Sequence, residues 1–265
     1  MIGGDAGQTA GQNARVLDQF TQQAEPYAEL VSARQSPTKS DPLVDLIEPH
    51  FGLRVLDVGC GTGQFAVTIA PMVAEVVGLD LTPAMVEQAQ GHADRAGVGN
   101  ICWMTADSIA LPLADGMFDV VVSRSMFHHA ADPAVTLAEM RRVCAADGRI
   151  FVSDLSPDPT RGPAFDAIEL LRDPSHKHAL PLEELRQLGQ EEGLSEIALR
   201  TGATSLPLET VLATSFPPEG MLDHVRALLA RDAAMGADTF GLKAEMREGR
   251  LWVTYPTAIV GWKAI

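Results

Sequence analysis

Val55-Leu56-Asp57-Val58-Gly59-Cys60-Gly61-Thr62-Gly63 is the stretch of this 265-residue sequence from which the fold can be inferred. It continues a short apolar run from Leu53 that is rich in branched residues, as is typical of a central parallel strand covered on both faces. Three alternate glycines then predict a turn, because glycine adopts backbone conformations closed to other residues and leaves no side chain between a loop and a ligand. Apolar residues recur at helical spacing from Phe65 to Ala70. The stretch is therefore a strand–loop–helix unit, whose helix N-terminus points free N–H groups at whatever the loop holds.

The spacing of the glycines distinguishes two kinds of nucleotide site. A dinucleotide-binding fingerprint needs a glycine or alanine five residues after the first glycine, where helix and strand pack tightly beside a pyrophosphate. That position is Gln64 here. The loop Gly59-x-Gly61-x-Gly63, preceded by Asp57, instead resembles the first motif of class I S-adenosylmethionine-dependent methyltransferases.

A second segment carries the same resemblance. Asp107-Ser108-x-x-Leu111-Pro112-x-x-Asp115-x-x-Phe118-Asp119-Val120-Val121 matches the family pattern at several spacings together. Near the N-terminus, Phe20-Thr21-x-Gln23-Ala24-x-x-Tyr27 resembles the cap of small-molecule methyltransferases of the ubiquinone and menaquinone biosynthesis type, which lies over the cofactor. The resemblance covers residues 50–155 well and the flanks loosely.

The chain beyond the glycine loop alternates strands and helices at βαβ spacing, which predicts an α/β fold with a doubly wound parallel sheet and right-handed crossovers. The resemblance implies a Rossmann-like sheet of seven strands whose last strand is antiparallel and lies between the fifth and sixth. We expect a helical cap over 1–40 and a methyltransferase core over 41–265, with lid insertions at about 157–180 and 206–249. Within the cap, residues 1 to about 12 are expected to be frayed, and Val16 to Val31 form a helix that Pro26 kinks or divides. The predicted strands are 53–58, 75–80, 101–104, 118–123, 149–154, 195–200 and 251–262.

The composition and net charge indicate which kinds of partner the protein can bind. Hydrophobic residues make up 46% and charged residues 21%, as in ordinary globular domains. The net charge of −15 opposes nucleic-acid phosphates and anionic membrane surfaces, so a small-molecule substrate is expected rather than either of these. No apolar run reaches the length of a membrane span, and the N-terminal residues are too polar for a signal peptide, so we expect a cytoplasmic location.

The candidate cofactor residues fall at the carboxyl ends of the predicted strands, the edge where open α/β sheets bind ligands. Asp80 ends the second strand, where its carboxylate can accept two hydrogen bonds from a ribose diol, although a nicotinamide-binding protein would show a similar spacing. The resemblance places the Asp107 carboxylate on the exocyclic amine of adenine and the Ser108 N–H near the ring, and implies that Asp57 orients the methionine amino group. The other residues expected to contact S-adenosylmethionine, or its product S-adenosylhomocysteine, are Tyr27, Gly59, Cys60, Gly61, Gly63, Leu81, Met85, Ala106 and Arg124.

Methyl transfer itself needs little acid–base machinery, because a sulfonium is already an activated donor. A base is required only where the nucleophile carries a proton. His128 and His129 follow the fourth strand and are the candidates, the alternative being that they pack against the cofactor loop. The polar loop around Arg172 and His176 resembles substrate-side loops, so these two residues are assigned to a substrate lid. No metal site is expected, since the two histidines of that loop lack further ligands at a suitable spacing.

Three functions stay open at this stage. The first is methyl transfer from S-adenosylmethionine to an oxygen, nitrogen or activated carbon of a small organic molecule. The second keeps the fold but not the reaction, as in a cyclase or binding protein that uses the cofactor without methylating. The third, a nicotinamide-dependent oxidoreductase, is disfavoured by Gln64 and by the Asp107 segment. The substrate and the oligomeric state are not determined by these motifs.

Overall fold

The computed structural model describes residues 6–34 and 41–264, and their strands form a single mixed sheet. The strands are β1 (Arg54–Val58), β2 (Glu75–Asp80), β3 (Ile101–Thr105), β4 (Phe118–Arg124), β5 (Cys144–Leu155), β6 (Ser195–Pro207), β7 (Glu245–Arg247) and β8 (Arg250–Lys263). The α-helices are α1 (Ala6–Arg34), α2 (Pro42–Ile47), α3 (Gln64–Ile69), α4 (Pro83–Ala96), α5 (Pro133–Val143), α6 (Gly162–Arg172), α7 (Leu182–Glu191), α8 (Leu208–Leu212) and α9 (Met221–Met235), with 3-10 turns at Ala70–Met72 and Phe127–His129.

The sheet order is β3-β2-β1-β4-β5-β8-β6. Strands β1 to β5 are mutually parallel, and β8 runs antiparallel between β5 and β6. This confirms the predicted doubly wound sheet and its antiparallel last strand. The number of strands differs, because β7 pairs with β8 as an eighth strand. The connecting residues Glu248 and Gly249 both have positive φ, the conformation of a tight hairpin turn, inside a segment that the sequence predicted only as an insertion.

Strand β1 is central because it is buried on both faces. Leu56 and Val58 pack into an apolar cluster with α5 and α7, whereas Val55 packs into a second cluster with α2 and α3. Alternate residues of β4 divide in the same way. A continuous apolar run thus forms a strand between two helical layers, and its carboxyl end delivers the glycine loop to one edge of the sheet.

Helix α1 differs from the sequence prediction at its start and at its proline. It begins at Ala6 rather than near Val16, so the segment expected to be frayed is helical from that residue on. It also continues through Pro26 as one helix, so the predicted alternative in which Pro26 divides the helix is wrong. Residues 1–5 and 35–40 lie outside the described part of the chain.

Helix α1 is held by polar groups. Gln12, Gln19 and Gln23 lie on one face of the helix and are at most 5% exposed. Gln12 donates to the carbonyl oxygens of His129 and Ser175, and Gln19 donates to that of Phe216. None of the described α1 side chains belongs to the three apolar clusters of the protein. The helix packs on α4, and specific hydrogen bonds to loops around the carboxyl edge of the sheet fix its position there.

The two predicted insertions pack against each other. Phe165 of α6, Leu212 of α8, Leu229 of α9 and Tyr255 of β8 belong to a third apolar cluster, separate from those around β1. We call the segments 157–180 and 206–249 together the insertion subdomain. Within the described residues, no helix has the length and apolar character needed to cross a membrane.

Candidate cofactor site and active site

A cavity of about 190 Å³ lies at the carboxyl ends of β1, β2 and β4 and is covered by α1. It is bordered by the loops that follow β1, β2, β3 and β4, which is the ligand edge predicted from the sequence. Most of the predicted site residues meet there: Tyr27, Asp57, Gly59, Cys60, Gly61, Asp80, Leu81, Met85, Ala106, Asp107, Ser108, Arg124 and His129. Gly63, His128, Arg172 and His176 do not border the cavity.

Each glycine of the loop has a different role. All three have positive φ, which disfavours other residues. A Cβ atom at Gly59 would lie 2.4 Å from the Met126 side chain, whereas one at Gly61 would meet nothing within 4 Å and would project into open space. Gly63 precedes α3 and packs against Trp103 and Ala89, so it shapes the loop from behind. Only Gly59 and Gly61 of the three border the cavity.

Asp80 holds the glycine loop in place. One carboxylate oxygen accepts a hydrogen bond from the Gly61 N–H and the other accepts one from the Thr82 N–H, both at 2.9 Å. Burial raises the pKa of Asp80, and these two N–H groups oppose the shift. A carboxylate oxygen has two lone pairs, so each can accept a further bond from a ligand in the cavity. Sequence reasoning predicted a ribose contact for Asp80 and missed the bond to Gly61.

Asp57 is a buried carboxyl group that its surroundings compensate only in part. It is 1% exposed, and its Oδ2 atom has no hydrogen-bond partner within the described part of the chain. Burial raises the pKa of Asp57 to about 7; the Arg124 guanidinium opposes this shift and Asp80 adds to it. Burial also raises the pKa of the neighbouring Cys60 thiol, which therefore stays protonated and is a poor nucleophile. A cationic group in the cavity would satisfy Asp57, so the site fits a ligand with an ammonium group.

The far end of the cavity is closed by a contact between α1 and the loop after β3. The Asn13 side-chain amide donates to Asp107 Oδ2 at 2.6 Å, and Asp107 Oδ1 accepts from the Ile109 N–H. Sequence analysis missed Asn13, which lies between the segment expected to be frayed and the helix predicted from Val16. Its polar side chain in the first half of an amphipathic helix was the available signal.

Arg124 borders the cavity as half of an ion pair. Its guanidinium donates to Asp41 at 2.7 Å, and the same aspartate caps α2 through the Leu43 N–H. Ser125, the next residue, has a positive φ of 54°, which is uncommon for a residue with a side chain and occurs where β4 leaves the sheet. The backbone turns sharply here and directs Met126 and His129 toward the cavity.

The two adjacent histidines have opposite environments. His128 faces away from the cavity and its Nδ1 lies 2.5 Å from Asp154, a buried carboxylate that also accepts from the Phe127 N–H. Burial opposes the protonated form, but Asp154 outweighs it and raises the pKa of His128. His129 borders the cavity, and burial, together with the neighbouring His128, lowers its pKa to about 3. The neutral imidazole of His129 is therefore the one that a ligand meets.

Arg172 and His176, predicted for a substrate lid, are both bonded to other residues of the insertion subdomain. Arg172 donates to the buried Glu169 at 2.5 Å and to Ser215, while His176 Nε2 lies 2.7 Å from Asp166. Residues of the insertion subdomain do not border the cavity, whereas those of α1 do. The described residues contain no group of three or more His, Cys, Asp or Glu side chains placed to hold a metal ion.

A glycine loop after β1, an aspartate at the end of β2 and another after β3, all meeting in one cavity of a sheet with an antiparallel last strand, define a class I methyltransferase fold. The chain belongs to this family. Residues 56–152 match the family model described as a methyltransferase domain. The resemblance found in the glycine loop and in the Asp107 segment is thereby confirmed.

Similar proteins are found in several bacteria. An uncharacterized methyltransferase of Bacillus subtilis, YcgJ, is 36% identical over 133 residues, which are 49% of this chain and 53% of that protein. A ubiquinone biosynthesis O-methyltransferase of Cereibacter sphaeroides is 34% identical over 143 residues, 54% of this chain and 53% of that protein. The uncharacterized YafE of Escherichia coli is 31% identical over 170 residues, 63% of this chain and 82% of that protein.

The solved structure of YcgJ superimposes with a TM-score of 0.76 at 24% identity and covers 83% of this chain and 95% of that one. This shows a shared fold. The matched regions span about half the length of the first two curated relatives.

Proposed function

We propose that this protein transfers a methyl group from S-adenosylmethionine to a hydroxyl oxygen of a small, uncharged organic molecule. The observation that carries the proposal is the convergence of Asp57, Asp80, Asp107 and the glycine loop on one cavity that also contains the neutral imidazole of His129. The proposal narrows the acceptor from oxygen, nitrogen or carbon to oxygen.

The cavity has a complementary group for each polar part of the cofactor. The free lone pairs of Asp80 suit a ribose diol, and Asp107 suits the amine of adenine. The unpartnered Asp57 oxygen suits the ammonium group of the methionine part, and Gly61 allows close approach of a ligand to the backbone. When bound, S-adenosylmethionine supplies a methyl group already activated by its sulfonium.

The remaining work of the protein is to orient the acceptor and to exclude water. Val16, Phe20 and Tyr27 of α1 border the cavity and cover it. A hydroxyl acceptor must lose a proton, and His129 is the imidazole on the cavity side. Burial and His128 lower the pKa of His129, whereas the Asp173 carboxylate raises it and so favours the proton-accepting role. His128, bound to Asp154, is assigned a supporting role instead.

The wall of the cavity indicates an apolar acceptor. It includes Val16, Phe20, Met126 and Ala130, while the guanidinium of Arg124 is already paired with Asp41. The net charge of −15 argues against nucleic acid as a substrate. The Cereibacter sphaeroides relative is named as an O-methyltransferase, which agrees with a hydroxyl acceptor.

The test has two stages. Calorimetric titration with S-adenosylhomocysteine, with NADPH in parallel, is expected to give micromolar binding of the first alone; binding of NADPH alone would establish the oxidoreductase alternative instead. Methyl-labelled S-adenosylmethionine is then incubated with a panel of phenols, alcohols, amines and carbon acids, and products are counted by mass spectrometry. Methylated phenols or alcohols support the proposal. Methylation confined to amines or carbon acids contradicts the choice of acceptor, and cofactor binding with conversion of a panel compound but no added methyl group favours the cyclase alternative.

A further inference from the structure

The loop after α6 contains a buried polar turn, Asp173 to Ser175, that has no role in the reaction as described above. Asp173 and Ser175 are 3% and 0% exposed. Asp173 Oδ1 accepts two hydrogen bonds from Ser175, one from its N–H at 2.9 Å and one from its hydroxyl at 2.5 Å. The single proton of the Ser175 hydroxyl is therefore committed to the carboxylate.

The direction of this hydrogen bond determines whether the Ser175 oxygen donates to His129 or accepts from it. The Nδ1 atom of His129 lies 3.2 Å from Ser175 Oγ. Because the hydroxyl proton points at Asp173, Oγ can only accept, so Nδ1 must carry the proton of the imidazole. The other ring nitrogen, Nε2, is then an acceptor. It has no hydrogen bond to any described residue, and the ring borders the cavity.

Helix α1 completes the arrangement. Gln23 donates to Asp173 Oδ2 at 3.2 Å, which leaves Oδ1 to Ser175. Gln12 donates to the backbone oxygens of both His129 and Ser175, at 2.9 and 2.7 Å. The ring of Phe20 packs edge-on against the His129 ring, with 4.9 Å between centroids. The His129 ring and the Asp173 carboxylate are thus held in place by the same helix that covers the cavity.

We propose that Asp173 and Ser175 are positioning residues that hold His129 in the Nδ1–H tautomer, so that Nε2 accepts the hydroxyl proton of the substrate. This inference rests on the proposed function. As the oxygen–methyl bond forms and the sulfur–methyl bond breaks, the substrate proton moves to Nε2 and makes an imidazolium. The Asp173 carboxylate, acting through Ser175, stabilises this charge against burial and the neighbouring His128, and the proton leaves to water when the product departs.

The tautomer can be measured without cofactor or substrate. The full chain is labelled with 15N in its histidine side chains, and the His129 resonances are identified by their loss in His129→Gln. We expect wild-type His129 to be protonated on Nδ1 only, and Ser175→Ala to lose this preference. Ser175→Thr, which restores a hydroxyl, is the matched control and should keep it. Protonation of wild-type His129 on Nε2, or an unchanged tautomer in folded Ser175→Ala, would overturn the proposal; the wild-type spectrum decides even if a variant fails to fold.

Kinetics separate this inference from the proposed function. With an accepted hydroxyl substrate, Ser175→Ala is expected to lower kcat about 100-fold, the usual contribution of a positioned base, with KM and S-adenosylhomocysteine binding unchanged. Ser175→Thr should recover most of kcat. If the wild type methylates no hydroxyl, the proposed function fails while the tautomer result stands. If it methylates normally and Ser175→Ala keeps full kcat, the positioning role fails alone.

Discussion

Replacing Asp57 with asparagine is expected to stabilise the cofactor-free protein at neutral pH while weakening cofactor binding. The unfolded chain ionises Asp57 near 3.8, whereas burial raises the pKa of the folded state to about 7. Between these values the folded state holds a proton that the unfolded state has lost, so wild-type stability falls as pH rises. Asparagine has a similar shape and does not ionise, so it removes this penalty.

The size of the effect follows from the two pKa values. The penalty on folding is about 2 kcal/mol at pH 5 and about 4 kcal/mol at pH 7, because one pKa unit corresponds to about 1.4 kcal/mol. The stability of Asp57→Asn relative to wild type should therefore grow by about 2 kcal/mol between these two pH values. Binding of S-adenosylhomocysteine should weaken by about 1.5–3 kcal/mol, since a charge-assisted hydrogen bond to its amino group is lost.

The measurement is urea unfolding of cofactor-free wild type and variant at pH 5, 6 and 7, combined with calorimetry. Asp94→Asn, the same chemical change at an exposed position of α4, is the control and should alter neither the pH dependence nor binding. If the stabilities of wild type and Asp57→Asn change in parallel across this pH range, the account of Asp57 as a buried carboxyl group with a raised pKa is refuted.

Other contacts lead to three further expectations. Asp80→Asn replaces one acceptor oxygen with an amide group that faces a backbone N–H, so S-adenosylhomocysteine affinity measured by calorimetry should fall by about 1.5–3 kcal/mol. An unchanged affinity would show that Asp80 holds the glycine loop without contributing to cofactor binding. Glu169→Ala removes the nearer of the two carboxylates beside the buried Arg172 guanidinium and leaves Asp173 at 4.0 Å, so chemical denaturation should show a loss of about 3 kcal/mol, against about 1.5 kcal/mol for Tyr255→Phe; equal losses would contradict this. Asn13→Ala removes the contact between α1 and Asp107, so limited proteolysis should cut α1 faster than in wild type, and equal rates would show that other contacts dominate.

The sequence alone predicted the features of this protein that depend on residues close together in the chain. The run before the glycine loop became β1 because branched apolar residues suit a strand covered on both faces, and Gly59 and Gly61 adopt the positive φ that the turn requires. Asp80 and Asp107 reach the cavity because parallel strands deliver their carboxyl ends to one edge. The family, and with it the antiparallel last strand, followed from the resemblance carried by the same motifs.

The assignment of roles among chemically similar residues was decided only by the tertiary structure. His128 and His129 are adjacent in sequence, yet one faces Asp154 and the other faces Ser175, partners that lie in different parts of the chain. Arg172 was a plausible ligand by residue type, but Glu169 and Ser215 occupy it inside the insertion subdomain.

Helix α1 shows the physical reason most clearly. Gln12, Gln19 and Gln23 are polar and would be exposed by composition alone, but they are buried because carbonyl groups and a carboxylate from distant loops accept their hydrogen bonds. Residue type determines which hydrogen bonds a side chain can make, and the sequence shows the residue types directly. Which bonds form depends on groups brought together by folding, so burial, protonation state and access to the cavity belonged to the tertiary structure.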